Sequence, residues 1–395
     1  MNAFVRKTRN VLHPWVCLFL ISACFALPSP RSGQGPAAPN YLQTSGSQIL
    51  DMSNKVVGLS GVNWFGFETS NNAPHGLWAR NWEDVLDQIK REGYNVIRLP
   101  FSNAMLKKDV TPSGIDYQKN PDLTGRTSIE VMDKIVRGAN ERGIKIILDN
   151  HRSTPGDGPE SNGLWYTSEY SENDWILDWK KLVLRYKDIP AVIAVDLRNE
   201  PYNACWGCGD SSKDWRLAAE KAGNAVLSVN PNLLVIVEGV ALYNGQNTWW
   251  GGNLIGAKEF PVRLNVPNRL VYSAHEYPES IYPQPWFSES NYPNNLPAVW
   301  DKYWGYLVRE NIAAVLIGEF GTRYETEKDK QWLSQFQEYV RQNKISWTYW
   351  SLNPDSGDTG GLLQDDWVTI HETKQSILRQ IQYPFIPQFA SLQEK

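Results

Sequence analysis

Ser128 to His151 reads SIEVMDKIVRGANERGIKIILDNH, and this stretch decides the fold. Ser128–Arg142 is a helical segment, and Gly143 follows it where a left-handed C-terminal cap belongs. Ile144-Lys145-Ile146-Ile147-Leu148 is then a near-continuous apolar run, the pattern of a strand covered on both faces. The strand ends in Asp149-Asn150-His151, where burying polar groups is costly unless they are paired or functional.

The same unit recurs along the chain. Buried strands are expected at Val56–Trp64, Asn95–Phe101, Lys145–His151, Val192–Pro201, Leu234–Val240, Leu270–Pro278, Ala314–Gly321 and Ser346–Pro354. Helices are expected at Trp82–Glu92, Ser128–Arg142, Asn173–Tyr186, Asp214–Ser228, Pro297–Glu310, Asp329–Asn343 and Glu372–Ile381. Trp82, Val85, Leu86 and Ile89 fall at i, i+3, i+4 and i+7, one helical face. Asn244 to Pro267, between the fifth and sixth strands, looks loop-like. Eight strand–helix repeats without a second compositional block predict an α/β protein, a single closed (β/α)8 TIM barrel. An open doubly wound sheet would want a G-x-G-x-x-G turn after its first strand, which Gly58 to Gly66 does not supply.

Composition limits the function classes. The 395 residues carry 39 Lys and Arg against 43 Asp and Glu, a net charge of −4 that gives no cationic field for nucleic acid or an anionic membrane. Hydrophobic residues make up 42% and aromatic residues 12%, with 18 Trp, so a large core is affordable and the Trp surplus needs a use.

Arg6, Lys7 and Arg9 followed by the apolar run Val16 to Leu27 read as an export signal, too short to span a bilayer comfortably. Cleavage after Ala26 is the reading taken, with a lipobox that would lipidate Cys24 as the alternative. Residues 27–44 are expected as a flexible linker, 45–385 as the barrel domain and 386–395 as a tail. In an exported chain Cys205 and Cys208 suit a disulfide. A zinc site would need further ligands, and the C-x-x-C redox motif lacks a helix opening directly after it.

In such a barrel the active site is built from the C-terminal strand ends. These carry Arg98, His151, Asn199-Glu200, His275-Glu276-Tyr277, Glu319 and Trp350. Glu200 and Glu319 stand out, because a protonated and an ionised carboxyl facing each other is what glycosidic cleavage requires. Indole faces that stack on sugar rings would account for part of the Trp surplus, and Trp64, Trp250 and Trp286 near strand ends are candidate platforms. Trp179, Trp215, Trp332 and Trp347 read as core, while Trp206 is open to either reading.

The segments Val96-Ile97-Arg98-Leu99-Pro100-Phe101, Leu197-Arg198-Asn199-Glu200-Pro201, Ala274-His275-Glu276-Tyr277 and Ile317-Gly318-Glu319-Phe320-Gly321 resemble glycoside hydrolase family 5, retaining β-glycanases on a (β/α)8 barrel. The resemblance runs from about residue 45 to 385. Residues 205–210 and 353–361 are especially similar to the family's bacterial secreted endo-β-1,4-glucanases. One departure is Asn150 in Asp149-Asn150-His151-Arg152, while His151 still matches the family histidine. The resemblance implies Glu200 as general acid/base and Glu319 as nucleophile, with Asn199 on the sugar 2-hydroxyl. It places Arg98, His151, His275 and Tyr277 around sugar and carboxylates, with Trp350 as the floor of the −1 subsite. Ionisation of Glu319 would be held by Arg98 and Tyr277, and Glu200 is expected in more apolar surroundings. A carboxyl separation of ~5–5.5 Å is expected for retention.

No cofactor or metal is expected, and a monomer acting on a β-glucan polysaccharide or oligosaccharide is. β-Mannan, xylan or β-1,3-glucan would use the same catalytic set. A metal-dependent barrel hydrolase would want His-x-His on strand 1, where Asn63-Trp64-Phe65 stands. A non-catalytic carbohydrate-binding barrel would not need both glutamates with their partners. No separate cellulose-binding module or Ser/Thr/Pro-rich linker follows Ile381, so weak binding to crystalline cellulose is expected.

Overall fold

The computed structural model describes residues 41–387; the expected export signal, Cys24 and most of the linker lie outside them. Eight parallel strands close into a barrel: β1 Ser60–Asn63, β2 Val96–Ser102, β3 Lys145–Arg152, β4 Val192–Asp196, β5 Leu234–Glu238, β6 Leu270–Glu276, β7 Val315–Phe320 and β8 Ser346–Tyr349, with β8 pairing back onto β1. Every residue of these strands is buried except Leu270. The near-continuous apolar runs reflect this: one face meets the helices and the other the barrel interior.

Alternation along each strand separates the two environments. Ile146 and Leu148 of β3 pack in the main core with the helices, whereas Ile147 joins Leu59, Val96, Leu234, Val271 and Leu316 in a second apolar cluster. Two residues further along the same inward rows stand Arg98 and Asp149. The barrel interior is thus apolar at its N-terminal end and charged at the C-terminal end.

The helices are α1 Trp82–Arg91, α2 Ser128–Arg142, α3 Glu172–Arg185, α4 Trp215–Val229, a fifth interrupted helix α5, α6 Glu327–Asn343 and α7 Glu372–Leu378. Their ends follow local chemistry. Asn81, Ser171, Asp214 and Thr326 cap N-termini with their side chains, Thr127 and Glu130 form a capping box, and Gly143 caps α2 at φ 74°. The α5 segment runs Leu296–Trp300, a π-helical turn Asp301–Gly305, then Tyr306–Arg309. Between β5 and β6 the described chain holds a short antiparallel hairpin and a 3-10 turn, Ile255–Ala257, in keeping with its loop-like sequence.

Several boundaries differ from expectation, among them the end of β8 at Tyr349 rather than Pro354. The strand expected over Val56–Trp64 is two, because Val56–Val57 pairs antiparallel in an N-terminal sheet with Leu42–Ser45 and Gln48–Asp51. Residues 42–44, expected within the linker, belong to a strand instead, and Leu42 is fully buried in the second apolar cluster, where Ile386 of the expected tail also packs. Strand β4 ends at Asp196, so Leu197–Pro201 continues as irregular chain.

Cys205 and Cys208 are bonded to one another in the loop after β4. Asp214 accepts hydrogen bonds from Gly207 N (3.1 Å) and Gly209 N (2.9 Å), tying this loop to the start of α4. Trp206 resolves as packing: it is 3% exposed and its Nε1 donates to Phe260 O at 2.9 Å.

Glu276 points outward from β6 into the layer of α5, where Trp304 Nε1 donates to its carboxyl at 2.8 Å. Burial pushes it up to about 8. A carboxyl whose folded pKa is raised is neutral in the fold while the unfolded chain releases its proton, so stability is lost as pH rises from about 4.5 through about 8. Glu276→Gln, neutral at every pH, should melt above wild type by a margin that grows across that window, to a few kcal/mol at about pH 9. Calorimetric scans at both ends of the window check this; a margin independent of pH would reject it.

Candidate active site

At the C-terminal mouth of the barrel a cleft of about 440 Å³ is lined by Glu200 and Glu319, with Asn199, His151, Tyr277 and Trp350 around them. Arg98 and His275 lie fully buried beneath. An oxygen of Glu200 and one of Glu319 approach within 4.8 Å of each other and of a His275 nitrogen.

Glu319 sits at the end of β7 with both oxygens occupied. Arg98 Nη1 donates to Oε1 at 2.7 Å and the Tyr277 hydroxyl to Oε2 at 2.6 Å. Burial by itself would raise this carboxyl, but the charges of His275, Arg98 and His151, with the Tyr277 hydrogen bond, override it and lower it to about 2. Glu319 is therefore an anion.

Glu200 lies beyond the end of β4, at φ 43°. A left-handed backbone is unusual for a residue with a side chain and costs on the order of 1–3 kcal/mol. Its amide hydrogen bond to Glu238 Oε2 at 2.7 Å holds the conformation. Burial raises Glu200 to about 7, against the pull of His275, whose Nδ1 is 2.8 Å from Oε1. Its surroundings are thus polar as well as buried, unlike the apolar setting expected from sequence. His275 faces Glu200, Glu238 at 3.3 Å and Glu319 at 3.5 Å. Burial opposes its charge, but these carboxylates raise it well above an ordinary imidazole.

Asn199 Oδ1 accepts from Arg98 Nη2 at 3.0 Å, which aims the amide nitrogen away from the guanidinium; that nitrogen is 3.4 Å from His151 Nε2. His151 Nδ1 lies 2.8 Å from Asp149 Oδ2, and its ring stacks on Trp350 at 5.4 Å. Phe65 stacks on Trp350, also at 5.4 Å. The indole is fixed between the two rings, and its half-buried position makes it part of the cleft wall.

Of the platforms expected from sequence, Trp250 lies at the cleft, 47% exposed and stacked on Tyr202 at 4.2 Å. The next residue, Gly251, packs against Glu238 and Glu200: at φ 73°, a Cβ there would lie 2.7 Å from Glu238 Oε2 and 3.4 Å from Glu200 Cγ. Trp64 is a correction. It is 1% exposed, its Nε1 donates to His75 O at 3.0 Å, and no face is open to a sugar. Alternation explains this, because Asn63 points inward to Arg98 and the next side chain must point outward. Trp286, 6% exposed against Phe287 and Tyr303, is also packing. Trp179, Trp215, Trp332 and Trp347 are buried as expected.

Sequence reasoning passed over Glu238, although a charge closing the apolar Leu234-Val235-Ile236-Val237 carries the same signal as Glu319. Tyr202, behind Trp250, has no such signal.

An α/β barrel that presents one protonated and one ionised glutamate, a few ångströms apart at the ends of its fourth and seventh strands, defines a glycoside hydrolase of the retaining class. The chain belongs to glycosyl hydrolase family 5: the family's cellulase model matches residues 50–356. An endoglucanase of Paenibacillus polymyxa is 51% identical over 91% of both chains. The major extracellular endoglucanase of Xanthomonas campestris is 42% identical over 92% of this chain and 75% of its own. A crystal structure of a cellotetraose complex of the Pyrococcus horikoshii endocellulase superposes with a TM-score of 0.82 at 42% identity, covering 87% of this chain and 99% of that one.

Proposed function

We propose that the protein is an endo-β-1,4-glucanase that cleaves internal bonds of cellulose or related β-glucans by double displacement. The observation that carries this reading is the opposed protonation of Glu200 and Glu319 at a separation of less than 4.8 Å between facing oxygens. Glu319 attacks the anomeric carbon while Glu200 gives its proton to the departing glycosidic oxygen, so the leaving chain departs neutral. Glu200, now ionised, takes a proton from water, whose oxygen displaces Glu319 from the glycosyl-enzyme. Two inversions return the β-configuration, and both carboxyls regain their starting states.

Asn199 is assigned to the sugar 2-hydroxyl, a hydrogen bond that strengthens in the oxocarbenium-like transition state. Trp350 is assigned as the floor of the reacting subsite. Trp250 lies on the acid/base side of the cleft, which is the side of the leaving chain, and is assigned as an aglycone platform.

The two carboxyls set the pH dependence. Activity should rise as Glu319 ionises near pH 2 and fall as Glu200 loses its proton near pH 7, a bell in kcat/KM. Initial rates across that range check both limbs; activity still rising above about pH 8 would reject Glu200 as the acid.

The leader-like N-terminus and the Cys205–Cys208 disulfide support export of a barrel domain over residues 45–385, by ordinary cleavage or through a lipidated Cys24, and a monomer suffices for the site. The test of substrate is reducing-sugar release from carboxymethyl-cellulose, mannan, xylan and laminarin. A preference for carboxymethyl-cellulose with a rapid fall in viscosity is the expected result. Preference for another polymer would overturn the substrate and leave the mechanism.

A further inference from the structure

Beneath Glu200 and Glu319 lie three carboxylates that the double displacement does not use: Asp149, Asp196 and Glu238, all fully buried, with one oxygen of each within 4.8 Å of the others. Arg98 on β2, Asp149 on β3, Glu238 on β5 and His275 on β6 are the charged groups around Asp196.

His275 Nε2 lies 3.3 Å from Glu238 without a hydrogen bond, and the donors of Arg98 can be accounted for one by one. A guanidinium has five N–H bonds, and Arg98 spends all five: Nε on Asp196 Oδ2, Nη1 on Asn63 Oδ1 and Glu319 Oε1, Nη2 on Asn199 Oδ1 and Glu238 Oε1. Asp149 Oδ1 lies 3.2 Å from Nη2 yet receives no hydrogen bond. Asp196 Oδ1 is likewise enclosed without a donor. Both oxygens of Glu238 are served, Oε1 by Arg98 and Oε2 by the Glu200 amide. Two unserved oxygens remain, on residues that are register partners on adjacent strands. Two unserved carboxylate oxygens in a buried cluster whose members come within 4.8 Å of one another are a costly arrangement while both are ionised, and one proton between them removes the cost.

We propose that Asp149 and Asp196 share a single proton, carried on Asp196 Oδ1 and donated to Asp149 Oδ1, so that Asp196 is a neutral positioning residue that seats Arg98 and, through it, Glu319. His151 Nδ1 lies 2.8 Å from Asp149 Oδ2, so Oδ1 is the oxygen of Asp149 left to accept. Burial, followed by the Glu238 charge, drives Asp196 well above an ordinary carboxyl.

The kinetic part of the test rests on the double-displacement reading, and the spectroscopic part does not. With aspartate carboxyls labelled with carbon-13, the infrared spectrum of the wild-type protein at about pH 7 should show a labelled carboxylic-acid carbonyl band that Asp196→Asn removes. Asp196→Ala should lower kcat on the order of 100-fold with KM little changed. Asp196→Asn, whose amide can donate to Asp149 as the acid does, should restore kcat to within about threefold of wild type. A spectrum without a protonated aspartate, or an Asn variant that is folded and as impaired as the Ala variant, overturns the proposal. If Asp196→Ala does not fold, the wild-type spectrum alone decides. Inactivity of the wild type on every β-glucan would count against the reading of function and leave the infrared result standing.

Discussion

Glu319→Ala lowers kcat on carboxymethyl-cellulose on the order of 10⁵-fold, and the loss is as large on an aryl cellobioside whose leaving group needs no protonation. The reason is geometric. Glu319 is the ionised carboxyl at the cleft, aligned by Arg98 Nη1 on one oxygen and Tyr277 on the other. Alanine leaves no nucleophile and no anion to stabilise positive charge at the sugar carbon, so better leaving groups bring no recovery. The fold should survive, because Arg98 still faces Asp149, Asp196 and Glu238. Steady-state rates on both substrates, beside a circular dichroism melt, make the measurement. Residual activity above about 1% on either substrate would mean that Glu319 is not the attacking group.

Glu200→Ala divides the same two substrates. On the polymer the leaving oxygen is a poor leaving group without a proton, and kcat should fall on the order of 10³–10⁴-fold. On a dinitrophenyl cellobioside the first step needs no acid, so a burst of dinitrophenol equal to the enzyme concentration should precede a slow steady state. That slow phase is hydrolysis of the glycosyl-enzyme without a base to activate water. The alkaline limb near pH 7 should also disappear, since the group that titrates there is gone. A burst-free time course, or an alkaline limb that persists, would transfer the acid/base role to another residue. Together the two variants separate nucleophile from acid/base by their dependence on the leaving group, which neither variant does alone.

The barrel was legible because its strands are covered on both faces: runs such as Ile144–Leu148 admit few other readings, and Gly143 marks a helix end by chemistry that acts within a few residues. The two glutamates of the cleft were legible for a related reason, since a glutamate that follows an apolar strand is out of place unless it is used. Trp64 was misread because exposure depends on which way a side chain leaves the strand, and one position separates the inward Asn63 from the outward indole. Residues 42–44 look like linker in the sequence because their burial comes from the far end of the barrel, where Arg269 Nη1 donates to Leu42 O at 2.6 Å across 227 residues.

Sequence by itself determined the repeating strand and helix unit, its closure into one barrel, the two glutamates and the aromatic and polar partners around them, because these follow from local periodicity and from residues costly to bury without a purpose. Tertiary structure alone decided which carboxyl holds a proton. Glu200 and Glu319 are the same side chain, one four residues beyond the end of β4 and the other within β7, next to its last residue. One lies on a left-handed backbone tied to Glu238, and burial outweighs the pull of His275 there. The other lies between Arg98 and Tyr277, where opposite charge and hydrogen bonding outweigh burial. That balance depends on groups from six strands meeting within a few ångströms, a distance that residue order does not encode.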